Sequence, residues 1–501
     1  MPFKDKLIFL MQITQTSNKD LAEGISVDPS LISLLRSGKR KKPHDKERIR
    51  QIALFFAGRC TADYQRNALA EMLGITVLKS ALPVKAVAGH LERWLQGDID
   101  AVDQFVESFS QTPIDPEPFF SAEPAPVLKG ETTFYYGKDG LRESTRCISK
   151  MIMDSVSPCS VYLSMGNDLD WLLSDYLLAK ELQTNALKTL RRGFTFHQIL
   201  PSISNTNRYT ESLSFWLPMY STGNMKIYYY PRLRDNMLRY SSILVPDHFI
   251  QASFGMGSNC ETTVTLVSTD PELVHCYTEQ FQQYLALCHE ALIVHRDTEE
   301  FFPCFQDIFS RKGDTIQMVS PLSVNTLPEQ MLGQCIHKAE NPKWKNTFQM
   351  YLKELPHFEK RLEMGPYIDM CYLASAKEIR SETVPIASVF KTSELHPCYT
   401  PETYILHLKN ILRLMDEYPN YYFLPYNEKP HPEYNLIVNE DGLALMIRTH
   451  APVIMMEFRR PEIVLALREY LLRIAEKQGY DGIHKTKIRS RLKALIEELQ
   501  R

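Results

Sequence analysis

Glycine is scarce: 20 in 501 residues, with no Gly-x-x-x-x-Gly-Lys-Ser/Thr, Gly-x-Gly-x-x-Gly or Gly-x-Ser-x-Gly pattern. Loops that cradle phosphates and turns that expose a nucleophilic serine need such glycines, so P-loop, dinucleotide-binding and elbow-type hydrolase chemistries are excluded. The ten cysteines are scattered without a Cys-x-x-Cys pair, and the 14 histidines include no His-x-His or His-Glu-x-x-His. Zinc ribbons and zincin-type proteases are excluded with them; no metal and no cofactor is expected. Isolated thiols suit a reducing compartment. Apolar runs fall short of the roughly 20 residues a membrane span needs. The segment from Met1 to Gln15 is too charged and too short for a secretory signal. These absences predict a soluble, cytoplasmic protein without a membrane partner.

A charge of one sign is also lacking: 57 Lys plus Arg balance 60 Asp plus Glu, for a net -3. The average hides a division. Residues 1–75 hold 13 basic and 8 acidic side chains, leaving 44 basic and 52 acidic in the remainder, so a small basic head precedes a large acidic body. With 44% hydrophobic residues over this length, several globular units are expected, each with its own core.

In the head, Leu21, Ala22, Ile25, Leu31, Ile32 and Leu35 have helical spacing broken near Val27, which predicts two short helices across a tight turn. Asp28 before Pro29 is a helix start, Gly38 a helix end, and Lys39, Arg40, Lys41 and Lys42 follow as a phosphate-binding run. On these residues alone the segment is a helical hairpin with a basic tail. Its pattern resembles the helix-turn-helix of the lambda-repressor/Cro-like (XRE-type) DNA-binding domains. The resemblance implies that Asn18 holds a phosphate, that Asp28, Ser30, Leu31 and Ser33 face the major groove, and that Arg36 and Lys39 to Lys42 lie on the DNA backbone. Two departures stand out: Ser26 occupies a turn position often held by Gly, and the groove-facing set lacks the Gln, Asn and Arg that read bases bidentately. Further helices are expected over 44–58 and 62–74.

Residues 76–128 are expected to form a connector with one helix, Val84–Gln96, followed by a linker rich in proline (Pro113, Pro116, Pro118, Pro124 and Pro126). Beyond it the chain repeats itself. The segments 227–231 and 421–425, 240–247 and 433–440, and 270–285 and 460–475 resemble each other, at offsets drifting from 194 to 193 to 190. This predicts two α/β lobes, 129–295 and 296–480, and a final amphipathic helix, 481–501, that docks on the body or pairs between subunits. The duplicated order weakly resembles the phospholipase D-like fold, in which two facing lobes each offer His-x-Lys-x4-Asp. Tyr240, Ser242 and Asp247 occupy that spacing in one lobe, and Glu433, Asn435 and Glu440 in the other. The nucleophilic His and the Lys are missing from both, so the resemblance implies a degenerate, non-catalytic copy.

Aromatic residues pack cores or line a pocket; the candidate pocket set is Tyr136, Trp216, Tyr229, Tyr240, Asp247 and Glu440. The fold class expected is thus multidomain, an all-α helix-turn-helix head on an α/β body of two similar lobes. The expected function is a DNA-binding transcriptional regulator, a homodimer on double-stranded DNA whose body senses a small-molecule or protein effector. The alternatives are a phosphodiester- or lipid-directed enzyme with a DNA-targeting head, and a protein-interaction scaffold.

Overall fold

The computed structural model describes residues 3–37, 39–40, 43, 46–62, 64–66, 68–69, 83–96, 102, 105–106, 109, 130–154, 157–166, 170–173, 175–200, 213, 215–231, 238–256, 260–338, 342–386, 398–426, 433–450, 452–478 and 485–501. It opens with helices α1 (Phe3–Ile13), α2 (Asn18–Gly24), α3 (Pro29–Arg36), α4 (Lys46–Arg59) and α5 (Val84–Gln96). Leu7, Leu10, Leu21, Ile32, Leu35 and Phe56 are buried in one shared core. Much of the helix expected over 62–74 lies outside the described residues.

Helix α5 has the bounds its sequence predicts, but it is not part of a connector. Val87, Ala88, Leu91 and Leu95 are buried in the head's core, and the Trp94 ring meets Phe9 at 6.1 Å. An amphipathic stripe must be covered, and α4 and α1 cover this one. Downstream, Val102, Phe105, Val106 and Phe109 are buried with the body's core, Phe105 lying 5.8 Å from Phe458. Residues 97–101, between these two sets, lie outside the described residues. The proline-rich stretch 111–128, expected to be a linker, lies outside the described residues.

The body is a mixed α/β unit around a 14-stranded sheet. Its first lobe runs β1 (Thr132–Tyr136), α6 (Gly137–Asp154), β2 (Ser160–Ser164), α7 (Asp170–Leu173), α8 (Tyr176–Arg191), β3 (Thr195–Leu200), β4 (Met225–Tyr229), β5 (Leu238–Val245), β6 (Phe249–Met256), β7 (Val264–Ser268) and α9 (Pro271–Leu285). The second runs β8 (His289–His295), α10 (Phe301–Ser310), β9 (Thr315–Val319), α11 (Glu329–Lys338), α12 (Pro342–Met364), β10 (Tyr367–Tyr372), α13 (Ala376–Arg380), α14 (Pro401–Glu417), β11 (Tyr421–Tyr426), β12 (Tyr434–Asn439), β13 (Leu443–Arg448), β14 (Met455–Phe458) and α15 (Pro461–Lys477), followed by α16 (Lys485–Gln500). The strand order is β1-β7-β6-β5-β2-β3-β4 and then β8-β14-β13-β12-β9-β10-β11. The second half repeats the first strand for strand, and the halves join where β4 pairs antiparallel with β8. The second lobe therefore begins at His289, although the sequence assigns 289–295 to the first.

Hydrogen-bond register corrects the sequence match inside the repeat. The β5–β6 hairpin closes on Val245 and Phe249, and the β12–β13 hairpin on Asn439 and Leu443. Tyr240 thus corresponds to Tyr434 and Asp247 to Asp441, one place away from Glu433 and Glu440. One place in a strand turns every side chain to the opposite face. Likewise Lys226, paired with His197, corresponds to Tyr422, paired with Ile368, so Ile227 answers to Phe423 and not to Tyr421. From β7 and β14 onward the expected match of Pro271 with Pro461 holds, since the second hairpin is shorter.

Every residue of β12 and β13 is buried, as in strands covered on both faces, whereas β1 is an exposed edge. Asp175, Asp270 and Thr400 cap α8, α9 and α14 through backbone N–H groups of the first turn. Helix α16 buries Leu492, Leu495, Ile496 and Leu499 and packs on α13 and α14, so it docks on its own body. Nine described cysteines are free thiols, and no described helix is long and apolar enough to cross a membrane.

Candidate nucleic-acid interface and a cavity in the first lobe

Helices α2 and α3 are each started by a side chain. Ser17 accepts from Asp20 N while Asp20 accepts from Ser17 N, a reciprocal capping box. Asp28 accepts from Ser30 N at 2.8 Å, with Pro29 in the first turn. Between them Ser26 has a positive φ, the left-handed conformation for which Gly is usual. Ser17→Ala is expected to cost the head about 1 kcal/mol, read as faster hydrogen exchange at the amides of α2; unchanged protection would remove the box from this account.

With Ile32 and Leu35 buried, α3 exposes Ser30, Ser33 and Arg36, while Leu31 is half-buried. Arg36 Nη1 donates to Asn18 Oδ1 at 3.3 Å, bringing the two phosphate-binding candidates together across the turn. Lys39 and Arg40 are exposed beyond the helix; Gly38, Lys41 and Lys42 lie outside the described residues. The Asp28 carboxylate is engaged at the cap, where the Ser30 hydroxyl and amide hold it below its usual pKa. It is thus a helix starter before it is a groove contact.

The six candidate pocket residues do not converge. Tyr136 is exposed on edge strand β1, and Asp247 is exposed in the β5–β6 hairpin with a positive φ. Glu440, in the β12–β13 hairpin, pairs with Arg468 at 3.2 Å. Tyr229 lies at the joint between the lobes, 5.4 Å from the Arg460 guanidinium. Tyr240 stacks on Tyr277 under α9, and burial pushes its hydroxyl up to about 12. Trp216, alone of the six, lines a cavity of about 140 Å³ between α6, α8 and the inner face of β2, β5 and β6. Residue type alone does not locate it: a cavity is volume left unfilled. Its available signal is the alternation of Gln251 and Ser253 between apolar neighbours in β6.

The strands carrying the two motif-like registers, β5 and β12, are the fourth and eleventh of the sheet. The lobes therefore stand side by side, and strand pairing does not bring Tyr240 and Asp247 next to Glu433 and Glu440.

Among the described residues one group has metal-ligand character: His295, Cys304 and Glu457, with donor atoms within 4.8 Å of one another. Its members already satisfy each other. Glu457 accepts from His295 Nε2 at 2.9 Å, Cys304 Sγ at 3.4 Å and Arg459 Nε at 2.6 Å. Burial and the adjacent carboxylate push the Cys304 thiol up to about 12. The group ties β8, α10 and β14 together at the lobe joint.

No family model matches the chain, and no curated protein sequence is similar to it. Solved structures similar to parts of it include NucT from Helicobacter pylori, 13% identical with a TM-score of 0.25, covering 32% of this chain and 99% of that one. Nuc from Salmonella typhimurium, a phospholipase D family member, is 13% identical at TM-score 0.23 and covers 32% and 98%. TrmBL2, an archaeal chromatin protein whose structure shows a novel mode of DNA binding, is 12% identical at TM-score 0.23, covering 55% of this chain and 87% of that one.

Proposed function

We propose that the chain is a DNA-binding transcriptional regulator, with a lambda-repressor-like head and a non-catalytic, sensing body of degenerate phospholipase D-like architecture. The observation that carries this reading is the α2–turn–α3 unit: Asp28-capped, with Ser30 and Ser33 exposed on α3 and Arg36 beside Asn18 at the edge of a basic run. Such a helix fits the major groove while its flanks hold phosphates. Few base-reading side chains and few phosphate contacts make one head a weak binder, so the proposed unit on DNA is a homodimer. Against an enzyme stands the protonated, half-buried Tyr240 at the position where the related chemistry needs a histidine.

Gel shift with a fragment of the protein's own promoter tests the reading. Arg36→Ala combined with Lys39→Ala is expected to weaken binding on the order of tenfold and to lower the salt slope by about 2, since two phosphate contacts are lost. Unchanged affinity and slope would sink the assignment of the head.

A further inference from the structure

We propose that the first-lobe cavity binds a small uncharged ring compound bearing one hydrogen-bond donor, with Gln251 accepting that hydrogen bond. This deepens the reading of the body as a sensor and rests on it for its biological purpose, though not for its chemistry.

The cavity's volume, about 140 Å³, is close to that of cavities known to hold a benzene-sized molecule. Among the described residues no charged side chain lines it, and Ile148, Leu163, Trp171, Leu182, Phe196 and Trp216 form an apolar wall. A charged ligand would lose its hydration there without compensation.

Gln251 supplies the polar end. It is 3% exposed, and its Nε2 donates to Ser144 Oγ at 3.1 Å and to Thr145 Oγ1 at 3.0 Å. Both hydroxyls give their own hydrogens to the Leu141 carbonyl, Ser144 at 2.9 Å and Thr145 at 2.7 Å. They can therefore only accept from Gln251. The network thus fixes the orientation of the amide and leaves Oε1 as its free end. Oε1 is buried and has no hydrogen-bond partner among the described residues. Buried acceptors are nearly always paired, and a donor on a molecule in the cavity would complete this one.

The second lobe is an internal control. By hydrogen-bond register, Gln251 and Ser253 correspond to Leu445 and Ile447. The equivalent space, between Gln317, Asn435 and Ile447, measures only about 30 Å³ and is bordered by Phe305 and Tyr351. The same architecture is thus packed and apolar at these positions in one lobe, open and polar in the other.

Titration calorimetry on the purified full chain, without DNA, tests the proposal with phenol, toluene and benzoate. Phenol is expected to bind one per chain and about 2- to 10-fold more tightly than toluene, the worth of one neutral hydrogen bond; benzoate is expected not to bind. Gln251→Leu, which installs the second lobe's residue, should retain toluene and lose the preference for phenol. Ala186→Phe, which fills the cavity, should abolish both. Absence of binding to the natural chain, equal affinities for phenol and toluene, or a preference that survives Gln251→Leu would overturn it. The comparison on the natural chain decides even where a variant fails to fold. DNA affinity is read separately by gel shift, so the failure of either reading leaves the other result standing.

Discussion

Acidification from pH 7 to pH 4 is expected to destabilise the natural chain by roughly 3 kcal/mol more than a His407→Gln variant. His407 is fully buried in α14, with Tyr399 OH 2.7 Å from Nδ1 and Thr326 Oγ1 2.8 Å from Nε2. Burial pushes its pKa down to about 3, whereas in the unfolded chain it titrates near 6.5. The folded state therefore holds His407 neutral. The associated stability is complete above about pH 6.5 and is lost as pH falls toward 3, at about 1.36 kcal/mol per unit. Urea unfolding at pH 7, 6, 5 and 4 reads the difference. Parallel pH dependences for the two proteins would show that His407 is not the acid-sensitive group.

The second large effect is expected at Asp369 in β10. This fully buried carboxyl group accepts from Tyr421 OH at 2.7 Å, Gln317 Nε2 at 2.7 Å and Cys371 Sγ at 3.1 Å. Asp369→Ala strands buried donors and opens a cavity, and should cost about 3–5 kcal/mol. Tyr421→Phe leaves the carboxyl group two of its partners and should cost only about 1 kcal/mol. Denaturant midpoints of the two single variants and the double variant measure the coupling; equal small losses would mean that the network is not what holds β9, β10 and β11 together. Burial pushes the Asp369 pKa up, against the pull of the three donors. Its contribution is therefore present at low pH and lost as pH rises through the folded value, opposite in sign to that of His407. The acid loss cannot be assigned to it. The first lobe carries a related device: Gln198, which corresponds to Asp369 by register, accepts from Tyr220 OH at 3.1 Å.

What the sequence made legible was local. The bounds of α5 follow from its amphipathic stripe and the Asp28–Pro29 start from capping chemistry, because both depend on neighbours within a turn or two. Where α5 docks depends on α1 and α4, far away in the chain, and its place in the head was not readable. The repeat showed through the proline-started helices α9 and α15, but β5 and β12 were matched one place out. Strands buried on both faces have no alternation to mark their register, and β12 is such a strand. The aromatic set failed as a pocket for a different reason. Rings such as Tyr229 and Tyr240 bury area wherever they fall, whereas the cavity is bounded by the polar face of β6.

The tandem sheet has a further consequence in its two ends. A joint of β4 against β8 unites unlike edges, the kind of contact that can repeat without closing. Its outer edges are again unlike: β1 corresponds to β8, and β11 to β4, so the two free ends carry the complementary halves of the joint already used inside the molecule. At the β11 end, Lys485 at the start of α16 donates to the Pro419 carbonyl at 2.8 Å and lies 4.8 Å from the Tyr422 ring. The helix packs there against β11 and its neighbour α14. The body is in that sense a ribbon of two units whose outer edges differ.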